Sequence, residues 1–183
     1  MKKDYSVSII KANVYGFIAT LPSILVIVEL SIYIWKWESD FDDLLSLSFQ
    51  NILFLIFVLS IQYILHVLIQ GQAWQFFGNK TANDIEYIIN RSDRAFYVYC
   101  KELIELKTYR LGIAMPFMIL GLLPTTLGFL IGNSFIFLFG LSGIFFANED
   151  IAVLWLIRNV KAASLIEDHP KRPGCYVIDK NEA

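Results

Sequence analysis

Charge is scarce in this chain of 183 residues: Asp, Glu, Lys and Arg make up 17% of it, and none occurs from Phe49 to Ile69. Soluble domains average about 25% charged residues. With 56% hydrophobic residues and a mean hydropathy of +0.55, an ordinary soluble domain is excluded. Cysteine is limited to Cys100 and Cys175, without a CxxC pair, which rules out a zinc ribbon and a disulfide framework. The net charge of -2 gives no reason to expect nucleic acid as a partner.

What the chain has instead is length in its apolar stretches. A helix needs about 20 mostly apolar residues to cross a hydrocarbon core roughly 30 Å thick. Four stretches meet this requirement: Val14 to Trp35, Phe49 to Ile69, Leu111 to Ile131 and Ser134 to Ile157. The expected fold is therefore all-α, an integral membrane bundle of four transmembrane helices in one domain over residues 1–183, with the lipid bilayer as its first partner. Glu29 in the first stretch, Pro116 and Pro124 in the third, and Asn148, Glu149 and Asp150 in the fourth do not exclude spans. Neighbouring helices can satisfy backbone groups freed by proline, and intramembrane acids turn toward the bundle interior. Trp35 and Trp37 suit a membrane interface. The first stretch is too long for a secretory signal core, and Trp35-Lys36-Trp37 follows it where a cleavage site would need small residues.

Orientation follows from the basic residues, which collect on the cytoplasmic side. They crowd the amino-terminal arm (Lys2, Lys3, Lys11), the connection from Gly71 to Arg110, and the tail after Arg158. Both termini are therefore expected in the cytoplasm, where Cys100 and Cys175 stay reduced. The acidic first loop (Glu38, Asp40, Asp42, Asp43) and the Gly132-Asn133 turn face outward. In the long connection, Thr81 to Asp84 predicts a cap for a helix through Ile85, Tyr87, Ile88 and Ile89, and Phe96 to Leu106 reads as an interfacial segment. The tail is expected to continue as helix past Arg158, stop near Asp168-His169-Pro170, and run extended over Cys175 to Ile178.

One polar stripe interrupts the second span. Gln62, His66 and Gln70 recur at four-residue spacing, so they share a helix face that points into protein or a cavity. At about 1.5 Å rise per residue, His66 and Asp150 fall at similar depths. Imidazole and carboxylate at one level can hold a metal ion. The plainer reading makes His66 a hydrogen-bonded interhelical residue and Gln62 and Gln70 stitching, each such contact contributing about 0.6 kcal/mol. Arg158, two turns beyond Asp150, is expected to pair with Asp150 or Glu149. Glu29, Glu149 and Asp150 are also the candidate proton sites of a transporter.

His66-Val67-Leu68-Ile69-Gln70-Gly71 resembles a degenerate His-Glu-x-x-His signature. Tyr109-Arg110-Leu111 leading to Met115-Pro116, the run Gly140 to Asp150, and Asp168-His169-Pro170 followed by Gly174 resemble the same source, a zincin peptidase family of bacterial multipass membrane proteins. The similarity extends roughly from Asn13 to Val177. The resemblance implies an inner-membrane location and, in intact members, two histidines and a later acid on zinc with a glutamate as general base. Here Val67 stands at the base position and Gln70 at that of the second histidine. General acid–base catalysis contributes about 10²- to 10⁴-fold, and valine supplies none of it. The expectation is a non-catalytic member without a cofactor, binding a membrane protein or transmembrane segment at a site lined by Gln62, His66, Gln70 and Asp150. The alternatives are an atypical intramembrane metallohydrolase with zinc on His66 and Asp150, and a small proton-coupled transporter.

Overall fold

The computed structural model describes residues 2–37, 48–90 and 95–179; the acidic first loop lies outside them. Strand β1 (Lys2–Ser6) leads into helix α1 (Ile9–Trp35), and α2 runs over Phe49–Gly78. The hairpin strands β2 (Ile85–Asn90) and β3 (Ala95–Cys100) follow, then the short β4 (Ile104–Glu105). Helix α3 covers Leu106–Ile131, α4 covers Ser134–Phe146 and α5 covers Asn148–Leu156, before β5 (Leu165–Asp168) and β6 (Gly174–Ile178). Among the described residues α1, α2 and α3 are long and apolar enough to cross a membrane, and α4 with α5, bent by 46°, forms a fourth span if counted as one.

Local chemistry sets the helix ends. Ser8 and Ser48 cap α1 and α2 by accepting from the Lys11 and Asn51 amides. Lys36, Asn79 and Gly132 close α1, α2 and α3 in left-handed conformation. Within α3, Pro124 has no N–H to offer the Leu120 carbonyl, and the helix widens into a π turn over Phe117–Leu122. Gln62 Nε2 approaches that Leu120 oxygen at 3.5 Å and donates to Phe139 O at 2.7 Å. Ser142 Oγ donates to Gln62 Oε1 at 2.6 Å, so one amide joins α2, α3 and α4.

The all-α expectation is corrected by two antiparallel sheets, one ordered β1-β6-β5-β4 and the other the β2-β3 hairpin. Hydropathy windows matched to spans overlook strands this short. The Thr81 capping box does form, but it closes a single turn at Ala82–Asp84, and the isoleucine-rich Ile85–Asn90 that follows pairs as a strand. Phe96 to Leu106, expected as an interfacial segment, is mostly strand. The last helix stops at Leu156, and the stretch expected to extend it contains β5. The extended run over Cys175 to Ile178 is present as part of β6. Trp37, expected to suit an interface, is buried against Phe137, at 5.2 Å between ring centroids.

The sheets gather at one end of the bundle. β1 enters α1, the hairpin follows α2, β4 runs into α3, and β5 and β6 follow α5. The largest buried core lies at this junction, where Trp74, Tyr109 and Ile113 from the helices meet Cys100, Ile104, Ile166 and Val177 from the strands. Elsewhere the helices leave Ile18, Val26, Phe57 and Leu130 exposed.

Helix α1 packs against α5 through Gly16. A Cβ there would lie 1.9 Å from the Asn148 carbonyl oxygen, and backbone cannot swing aside as a side chain can. Gly16→Ala should destabilise the fold by about 1–3 kcal/mol, the usual cost of overpacking. Unfolding of the detergent-solubilised protein measures this, and an unchanged midpoint would contradict the contact.

Candidate functional site

A cavity of about 410 Å³ lies between the helices and the strand cap. α2 contributes Tyr63, His66, Val67 and Gln70 to its wall, and α5 contributes Glu149, Asp150 and Val153. Phe96 from β3, Phe145 and Phe146 from α4 and the segment around His169 complete most of it. The Tyr63 hydroxyl donates to Phe96 O at 2.6 Å and fastens α2 to β3.

The polar centre is a contact between two helices. His66 Nε2 lies 2.8 Å from Asp150 Oδ2, and both side chains are largely buried. The approach falls outside hydrogen-bond geometry, and the second imidazole nitrogen, Nδ1, is buried with no hydrogen-bond partner. Glu149 accepts from the Asn13 amide of α1. Successive helical residues point about 100° apart. That divergence sends Glu149 toward α1 and Asp150 toward α2, and the cavity is wide enough for both to line it.

The candidate residues therefore divide. His66, Val67, Gln70 and Asp150 line the cavity, whereas Gln62 is completely buried in the helix junction and does not reach it. Glu29 lies on the exposed side of α1, outside the lining. Arg158 does not pair with the acids: it stacks over Trp155, 4.0 Å from the ring centroid, and donates to Trp155 O.

One further polar residue stood in the sequence as a helix stop and as part of the resemblance at Asp168-His169-Pro170. Asp168 is buried at the strand cap, where Oδ1 accepts from Tyr109 Oη at 3.2 Å and from the His169 amide at 3.1 Å. Its Oδ2 accepts from the Cys100 amide at 3.3 Å. Burial outweighs these donors and lifts its carboxyl to about 7. Burial also pushes the Cys175 thiol up to about 12 and raises that of Cys100, so both cysteines are packing residues with little thiolate. Only the folded chain brings these groups together.

The family model described as "Putative zincin peptidase" matches residues 56–165, more than half of the chain. The chain belongs to this family. No curated protein and no solved structure matches it. The family name implies zinc, and the donor set can be tested against that ion. A catalytic zinc takes three protein ligands. His66 and Asp150 supply two converging donors, and Gln70 offers an amide where the signature has its second imidazole. No group of three His, Cys, Asp or Glu side chains converges among the described residues. The residues present do not fit a zincin centre.

Asp168 makes stability depend on pH with a defined sign. Its carboxyl rises from an ordinary 3.8 to about 7 on folding, so between these values the native state binds more protons than the unfolded state. The contribution is full below the lower value and is lost as pH climbs through the upper one. Asp168→Asn should flatten this part of the stability profile. Unfolding midpoints of both proteins across that range test it, and parallel profiles would refute the assignment.

Proposed function

We propose that this chain is a non-catalytic member of the zincin peptidase family, resident in a bacterial inner membrane. It holds a transmembrane segment of another membrane protein in the cavity where an active relative would hold substrate. The observation that carries this reading is Val67. Its side chain, 4% exposed, packs into the buried core beside His66, at the position where the signature carries its glutamate. No proton acceptor stands there, yet the surrounding cavity is intact.

Two features support binding over turnover. The cavity walls are mostly apolar and aromatic, through Tyr63, Phe96, Phe145 and Phe146, and suit an apolar guest. The adjoining polar groups, His66, Gln70, Glu149 and Asp150, can meet backbone groups of a guest helix that unwinds locally. The orientation with both termini and the strand cap in the cytoplasm follows the distribution of Lys and Arg.

Restoring the signature separates scaffold from chemistry. The native protein, purified and dialysed, should retain well under one zinc per chain, whereas the Val67→Glu/Gln70→His double variant should gain stoichiometric zinc and lose it again with His66→Ala. A photo-crosslinking residue at Tyr63 should join the native chain to a reconstituted transmembrane peptide, and excess unlabelled peptide should compete. Chelator-sensitive peptide cleavage by the native chain would overturn the reading.

A further inference from the structure

The cavity is bordered by the strap His169 to Pro173, which connects β5 to β6 and contributes His169, Lys171, Arg172 and Pro173 to the lining. Pro170 and Pro173 carry no N–H, so after His169 the strap has only the Lys171 and Arg172 amides as main-chain donors. One atom takes both. His169 Nδ1 accepts from the Lys171 amide at 3.0 Å and from the Arg172 amide at 2.9 Å. The Tyr97 hydroxyl donates to Pro170 O at 3.1 Å, and the imidazole packs on the Tyr176 ring with centroids 5.0 Å apart.

A nitrogen that accepts two hydrogen bonds cannot carry a proton. Neutral imidazole has one acceptor nitrogen, whereas imidazolium has N–H groups at both positions and no acceptor. We propose that His169 is a proton-operated latch, holding the strap across the cavity mouth when neutral and releasing it when protonated. The proposal rests on the reading of this cavity as the guest site, and it adds the regulation of entry.

The surroundings set the direction. Asp4 on β1 favours the imidazolium, while Arg172 in the strap and Lys2 on β1 oppose it. Lys2 is itself paired with Glu167 and sits over the Tyr176 ring, and Asp168 is engaged by Tyr109, the Cys100 amide and the His169 amide. Burial is the largest influence and holds His169 below its usual 6.5. The latch is therefore closed at neutral pH and opens on acidification.

Amide-resolved hydrogen exchange on the full chain in detergent, corrected for intrinsic rates, tests the latch at about pH 7.5 and about pH 5. Protection of the Lys171 and Arg172 amides should fall about fivefold or more at the lower pH. In His169→Asn the side-chain oxygen replaces Nδ1 as an acceptor that does not titrate, so protection should persist at both values. His169→Ala should lack it at both. Native protection that ignores pH, or a His169→Asn protein that follows the native response, would overturn the proposal.

Entry is read separately through Val67→Cys and a methanethiosulfonate reagent. At each pH the labelling rate is divided by that of the same cysteine in the His169→Asn background, which cancels the ionisation of the thiol. The ratio should be near one at the higher pH and rise severalfold at the lower. A strap that opens without raising the ratio would refute gating. An intact latch with no capture of a transmembrane peptide would count against the functional reading alone.

Discussion

Two consecutive carboxylates organise the interior. Glu149 reaches the Asn13 amide of α1 and Asp150 reaches His66 of α2, so the first turn of α5 braces both helices at one depth. Buried carboxylates are costly unless paired or hydrated. The two acids pair in opposite directions, and both line the cavity. Gln62 makes a complementary tie among α2, α3 and α4 and meets the carbonyl that Pro124 leaves free.

The strand cap does a different job. Apolar side chains give little drive for helices to associate with one another in lipid, because lipid tails are as apolar as they are. The main core lies where the helices meet the sheets, around Trp74, Tyr109 and Ile166. Tyr109 Oη joins the two regions by lying within hydrogen-bond distance of both Asp168 Oδ1 and Gly174 O, and Tyr63 does so by donating to Phe96 O. The cavity is thus roofed by strands and floored by helices.

The sequence made the long elements legible because their signal is long. Apolar runs located α1, α2, α3 and the bent α4–α5 pair, and helical rise, with the second and fourth spans taken to run the same way, placed His66 and Asp150 at one level. Apart from the extended run in β6, the strands were hidden because each is only a few residues, and several gain their stability from partners far along the chain, as when Lys2 faces Ile178. Thr81 and Asp84 gave a true capping signal with a false sequel, since a cap fixes the start of a helix and says nothing of its length. Asp168 looked like a helix stop because its donors, Tyr109 and the Cys100 amide, are distant in sequence.

The pairing of β1 with β6 also constrains how the molecule is made. Lys2–Ser6 leaves the ribosome well before its partner Gly174–Ile178, which emerges only after the described apolar helices have been synthesised. At about 5–20 residues per second, the first strand waits on the order of ten seconds or more with an unsatisfied edge. Closure is thus a late event in biogenesis, during which a chaperone or a neighbouring nascent chain could compete for the waiting strand.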